Sequence, residues 1–239
     1  MNRTFIIVIL ILFILSCDKT NIDGPGKLGK VYKNGELYEE FFYDREDMER
    51  YILYIAPGTV SDNIEFEYDG GKVVKLDWGD GHYIKYEYNG DLWTEENEFI
   101  QQSSFPQLVS YTHRQYAGGN IYEKQYIPDY FLQADILRIL KNGNEIKTVW
   151  FSTYDGDTTR IIYRFFDNFN NPYRGWLPSH RESFNLNNIL RTETHTFHKD
   201  SVGISEIIYN YTYNEKGYPV TMEIVGQGVL MEFEYNETE

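Results

Sequence analysis

Between residues 64 and 88 apolar and polar residues alternate almost one for one. Ile64, Phe66 and Tyr68 flank Glu65 and Glu67. Val74, Leu76 and Trp78 are interleaved with Val73, Lys75 and Asp77, and Ile84, Tyr86 and Tyr88 with Lys85 and Glu87. The pattern returns near the end, where Ile207, Tyr209, Tyr211 and Tyr213 share one parity, as do Val229, Met231, Phe233 and Tyr235. Successive side chains of a strand point to opposite faces, so a period of two gives a sheet with one apolar and one wetted face. A helix cannot satisfy this spacing. The 22 tyrosines and 15 phenylalanines agree, since aromatic rings favour strands and pack across neighbouring ones.

Turn signals sit between these runs. Asn34-Gly35, Asp69-Gly70-Gly71, Asn89-Gly90, Asn142-Gly143 and Asp155-Gly156 supply the residues that tolerate the positive φ angles of tight hairpins. The reading is an all-β domain, an antiparallel meander of hairpins forming a large twisted or curled sheet that bends toward a half-barrel. At most one or two short helices are expected. Asp44–Ile55, with Met48, Tyr51, Ile52 and Ile55 at helical spacing, is one candidate helix. Tyr130–Leu140 reads as a short helix or a further strand, and Phe105–Tyr116 and Phe169–Asn188 as longer loops.

A weak repeat runs through the domain. "FEYDGG" at residues 66–71 returns as "YEYNGD" at 86–91, and "YTYNEKG" at 211–217 and "FEYNE" at 233–237 echo it. A period near 20 residues suits one hairpin per unit. The aromatic-x-Tyr-Asn/Asp-Gly pattern resembles YD/RHS-type repeats, and most closely the YD-repeat-like lipoproteins of Bacteroidetes, most of them of unknown function. The segment "FFDNFNNPYRG", residues 165–175, resembles the Asn-Pro-aromatic turn of those proteins, with Phe166 where they carry tyrosine. The resemblance implies a fold and a cell-envelope location and transfers no catalytic residue.

The amino terminus is of another kind. Eleven apolar residues run from Phe5 to Leu15 behind Arg3. That length is short of the roughly 20 residues needed to span a bilayer and fits the h-region of an export signal. Ile14-Leu15-Ser16-Cys17 resembles the lipobox of bacterial lipoproteins, although Leu15 is larger than usual there. The resemblance implies cleavage after Ser16, a diacylglyceryl group on the Cys17 sulfur and acylation of the new amino terminus. Two or more acyl chains anchor stably where one does not. The alternatives are a plain signal followed by a free thiol, which is unusual in an exported protein, and an uncleaved anchor helix, which the length disfavours. Residues 1–16 are thus read as signal peptide, 17–29 as a polar tether around Gly24-Pro25-Gly26, and 30–239 as one β domain.

Charge narrows the partners. With 37 acidic against 22 basic residues the net charge is −15, which repels nucleic-acid phosphates and anionic lipid headgroups. The membrane partner is therefore the acyl anchor, and the acidity also serves solubility. No nucleophile elbow, phosphate loop or dinucleotide fingerprint occurs, and no cofactor is expected. Asp77-Trp78-Gly79-Asp80-Gly81-His82 is the most site-like stretch, with Asp77, Asp80 and His82 as weak metal candidates. Asp and Gly are equally what a tight turn demands. His195 and His198 lie three apart on an apparent strand, Ile189–His198, so they point to opposite faces and do not form a metal pair. Trp78 falls on the apolar face of its strand. Trp176, in a loop-like segment, is a weak candidate for a ligand platform, although such a ring more often folds back on the sheet.

Two functions are carried forward. One is a non-enzymatic envelope lipoprotein, a scaffold or binding module for a protein or glycan, placed at the outer membrane with its face open. The other is a secreted polysaccharide hydrolase, whose two carboxylates would lie about 5–10 Å apart in a deep cleft. A self-associating β protein that uses exposed sheet edges is a third possibility.

Overall fold

The computed structural model describes residues 27–45, 47–102, 105–173 and 185–236. Among them sixteen strands follow one another. They are β1 (Leu28–Lys33), β2 (Glu36–Asp44), β3 (Asp47–Ala56), β4 (Thr59–Asp69), β5 (Lys72–Asp77), β6 (His82–Asn89), β7 (Leu92–Gln102), β8 (Phe105–Ala117), β9 (Asn120–Ile127), β10 (Phe131–Lys141), β11 (Asn144–Phe151), β12 (Thr158–Asn170), β13 (Asn187–His198), β14 (Ser201–Tyr213), β15 (Pro219–Ile224) and β16 (Val229–Tyr235). Each pairs antiparallel with its neighbours in sequence, and β1 pairs with β16, so the meander closes into a barrel.

All-β character, the meander and the hairpin positions stand as expected. The closure does not: the sheet is not left open as a twisted or curled one but closes on itself. Leu28 faces Tyr235 and Val31 faces Phe233, about 200 residues apart in sequence. Asn34 extends the seam, its N–H donating to the Leu230 carbonyl (2.7 Å) and its Oδ1 accepting from the Leu230 N–H (2.7 Å). Closure pairs the two strands that would otherwise be edges, which removes the exposed edges on which self-association through strands depends. The sheet also begins at Leu28, slightly before the domain start expected at residue 30.

The expected turns form as the residues dictate. Asn34 and Gly35, with φ of 54° and 80°, make the primed turn whose twist matches that of the strands. The candidate helix Asp44–Ile55 is instead the end of β2, a turn and most of β3. Its Tyr51-Ile52-Leu53-Tyr54-Ile55 core is aromatic and branched, and pairing with β2 and β4 outweighs the helical spacing. Residues 131–141 are strand, after a three-residue 3-10 turn at Pro128–Tyr130. Phe105–Tyr116 is strand β8 rather than loop, because its polar inward residues pair with β7 and β9 and join a polar part of the interior. The other expected loop shrinks, as Phe169 and Asn170 end β12 and Asn187 and Asn188 begin β13.

The inward row is continuous through the register. Val31, Phe41, Tyr51, Ile64, Leu76, Tyr86, Trp93, Met231 and Phe233 form the buried apolar core, contributed by β1–β7 and β16. Trp78 packs against it, on the face expected. The opposite row carries Lys30, Glu40, Glu65, Glu67, Lys75, Lys85 and Glu87, interleaved with Phe42, Ile52, Tyr83 and Phe99. On β12 and β14 the exposed residues include Phe165, Val202, Ile204 and Ile208.

The repeat has a physical role. Its tyrosine is the last inward residue before a turn, at the end of the barrel where β1 begins and β16 ends. The Tyr88 hydroxyl donates to the Val73 carbonyl (2.7 Å), Tyr235 to Pro219 (2.8 Å), and Tyr68 accepts from the Met48 N–H (3.1 Å). The Tyr43 and Tyr116 hydroxyls donate to the carbonyls of Leu28 (3.0 Å) and Trp93 (2.7 Å). Each hydroxyl satisfies a backbone group at the start of an adjacent strand, so the ring can be buried without stranding a polar atom. Burial pushes these phenols upward, Tyr88 to about 12.

Candidate functional site

Inside the same end of the barrel lies a cavity of about 260 Å³. Its walls are Tyr209 and Tyr211 of β14, Met222 and Ile224 of β15, and Met231 and Phe233 of β16. Tyr209, Tyr211, Met231 and Phe233 belong to the alternating runs, and Met222 and Ile224 face Tyr211 and Tyr209 across the β14–β15 pair, so all six point inward together. Asn171, Pro172 and Tyr173, which follow β12, form a further wall, with Asn187, Asn188 and Ile189 beside them. Glu39 of β2 is the carboxylate among the described lining residues.

Glu39 is only 8% exposed and sits among aromatic rings. The Tyr51 hydroxyl donates to its Oε1 (3.3 Å) and the Tyr173 hydroxyl to its Oε2 (3.2 Å). The second bond joins residues 134 positions apart and fixes the Asn-Pro-Tyr turn across the lumen. The Tyr173 ring meets Phe233 edge-on, at 6.1 Å between centroids and 76° between planes. Burial pushes the Tyr51 phenol upward, and the charge of Glu39 adds to it.

Asparagines hold the turn. Asn171 accepts the Tyr173 N–H (3.0 Å) through Oδ1 and donates through Nδ2 to the Asn185 carbonyl (3.0 Å). Buried Asn185 accepts the Glu145 N–H (2.8 Å), and Asn187 exchanges hydrogen bonds with Asn144 (2.9 and 3.1 Å). Asp167 accepts from the Asn188 N–H (3.0 Å) and from the Tyr213 hydroxyl. Leu186 lies so close to the β10–β11 turn that a Cβ on Gly143 would come within 2.3 Å of its Cδ1. Only glycine fits there, at φ 74°.

The next sector of the lumen is ionic. Arg114 of β8, Glu123 of β9, Arg138 of β10, Glu145 of β11 and Arg164 of β12 form one row of ion pairs. Glu123 joins Arg114 Nη2 at 2.5 Å and Arg138 Nη2 at 3.0 Å, and Glu145 joins Arg138 at 3.0 Å and Arg164 at 2.6 Å. The Arg114 guanidinium carbon sits over the Trp93 ring (3.2 Å to its centroid), at the border of the apolar core. Burial raises the Glu123 carboxyl, but Arg114 and Arg138 outweigh it and hold it below its usual range. Glu96 of β7, inward between Tyr86 and Thr112, is pushed up to about 7 by desolvation, against the pull of Arg114.

The residues singled out in the sequence are distributed differently. Asp77, Asp80 and His82 occupy the β5–β6 turn. Asp77 accepts the Gly79 N–H (2.8 Å) and pairs with Lys75 (2.5 Å), which lowers its carboxyl. Asp80 accepts the His82 N–H (2.9 Å), and His82 Nε2 meets Glu98 Oε1 (2.8 Å) while its ring stacks on Trp78. Among the described residues no group of three or more histidine, cysteine or carboxylate side chains is placed to hold a metal ion. His195 pairs with Glu193 within β13, as its strand position dictates. Ser16, Cys17 and Trp176 lie outside the described residues. Sequence reasoning missed Glu39 and Tyr173. The Asn-Pro-Tyr segment was visible as a turn, but nothing local showed where its tyrosine would reach.

No family model and no curated protein matches this chain. Among solved structures, a protein of unknown function from Bacteroides fragilis is 8% identical, with a TM-score of 0.39 over 54% of this chain and 93% of its own. A porin-like protein from Bacteroides uniformis is 10% identical, with a TM-score of 0.36 over 87% of this chain and 84% of its own. Both likenesses are too slight to carry a fold or a function across.

Proposed function

We propose that this chain is a lipid-anchored protein of the bacterial cell envelope, at the outer membrane, whose barrel is a non-enzymatic binding module for a small ligand. The observation that carries the reading is the cavity behind Tyr173, with its apolar and aromatic walls and the buried Glu39 carboxylate. Concave, largely apolar space with a few oriented polar groups is the usual form of a small-molecule site, and the mouths of β-barrels are a recurrent place for it. About 260 Å³ admits a compact molecule rather than a polymer chain. The alternative, a polysaccharide hydrolase, needs a pair of carboxylates across a cleft, and the described lining supplies Glu39 alone.

The anchor rests on Ile14-Leu15-Ser16-Cys17, whose acyl chains would supply the attachment. Incorporation of labelled palmitate that disappears in Cys17→Ser supports the anchor, and equal incorporation refutes it. For binding, detergent-solubilised full chain is immobilised and exposed to an envelope extract, and retained small molecules are weighed by mass spectrometry. A species held by the wild type and released by the cavity-filling Met222→Trp supports the site. Nothing retained, or equal retention by both, overturns it.

A further inference from the structure

The strands around the ionic row are built the other way round from the apolar sector. Arg138, Glu145 and Arg164 of β10, β11 and β12 point inward, and alternation sends apolar residues of the same strands outward. On that outer surface Leu137 faces Val149, Val149 faces Ile161, Ile161 faces His195 and His195 faces Ile204. The register thus draws one row across five adjacent strands. Tyr163 and Phe165 lie on the same side of β12 and widen it. Phe165 is 42% exposed and Ile204 65%. Contiguous apolar surface on the outside of a folded chain marks an interaction site.

We propose that this wall joins two copies of the chain about a twofold axis running along β12. Charge decides the occupant. Lys147 of β11 and Glu193 of β13 both face Tyr163 of β12, so they stand at one level on either side of that strand. A twofold axis along β12 exchanges the two sides. It sets Lys147 of each copy against the partner's Glu193, and Val149 against the partner's His195, while Ile161, Tyr163 and Phe165 meet their own counterparts. Such self-complementarity is what an isologous contact requires. The strands of the two walls run aligned, as in sheet-on-sheet packing. A barrel wall is convex, so contact centres on β12 and its two neighbours. Lipid would suit the apolar row but not Lys147, Arg191, Glu193 and Glu206 beside it, because charge on a lipid-facing wall is costly. Closure leaves no free edge, so a second copy adds to the wall rather than to the ladder.

Oxidative cross-linking in cells that express the full chain tests the axis. Ile161→Cys should give a covalent dimer, while Glu65→Cys, on the outer face of β4, should not. The wild type, whose single cysteine is Cys17, sets the background. Sedimentation of the detergent-solubilised full chain then gives the dissociation constant. Lys147→Glu or Glu193→Lys alone should weaken the dimer tenfold or more, and the two together should restore it to within threefold of the wild type. That rescue separates pairing across the axis from a fault in folding. A chain monomeric at every concentration, a double variant no tighter than either single one, or equal cross-linking at Ile161→Cys and Glu65→Cys overturns the proposal. So does Ile161→Cys capturing a different protein, or insertion of the wall into lipid vesicles by a chain that stays monomeric.

Discussion

Two sectors of one lumen solve the same problem with opposite chemistry. Strands β1–β7 and β16 fill it with Val31, Phe41, Ile64, Leu76, Tyr86 and Phe233. Strands β8–β12 fill it with Arg114, Glu123, Arg138, Glu145 and Arg164. Backbone pairing is equally regular in both, so the sheet alone does not choose the filling. In the apolar sector stability grows with area removed from water, and each side chain contributes almost independently. In the ionic sector the charges are tolerable only as a set, since desolvation is repaid only by partners in good geometry. The first is therefore expected to degrade gradually and the second to fail at a single loss.

Removing one member of the ionic row is the strongest way to expose that difference. Glu123→Ala leaves Arg114 and Arg138 buried at 5% and 4% exposure without their shared carboxylate. The expected loss is about 3–5 kcal/mol in urea denaturation. Replacing Arg114, Glu123 and Arg138 together by Met and Leu should recover most of it. If the triple variant is as unstable as the single one, the two sectors do not differ as described.

Leu76→Ala is the matching change in the apolar sector. The side chain is 2% exposed between Phe66 and Ile84, and its loss should cost about 3 kcal/mol. Here a compensating enlargement at Phe66 or Ile84 should restore little, because packing is shape-specific. A loss below about 1 kcal/mol would mean the sector is loosely packed.

Glu96 lies at the border and adds a pH signature. Its folded value is raised to about 7 from 4.5, so its favourable contribution is complete below about pH 4.5 and is lost as pH rises through 7. Relative to Glu96→Gln, wild-type stability should fall by about 2 kcal/mol between pH 4.5 and 8, discounted for the side chain's partial exposure. A flat difference across that range would place Glu96 in contact with water.

Much of this was legible locally. Alternation at residues 64–88 and 207–235 marks strands, and Asn34-Gly35 and Asn142-Gly143 mark turns, because each signal needs only a few neighbouring residues. Even the recurring tyrosine was readable as a repeat. Its hydroxyl bond to the preceding strand was not. The stretch 44–55 misleads because a helical spacing of four residues also occurs within a run of β-favouring ones, and only pairing with β2 and β4 decides between them. Phe105–Tyr116 misleads because its inward residues are polar, and alternation of apolar residues finds only the sectors filled with apolar side chains.

By itself, then, the sequence determined which residues extend and which turn. Those preferences live in single residues and their immediate neighbours. The tertiary structure decided that β1 meets β16, which row faces the lumen, that five alternating charges line up across β8–β12, and that Tyr173 reaches Glu39. Each of these is a meeting of residues far apart in sequence. It depends on the accumulated twist and register of sixteen strands, which no local pattern contains.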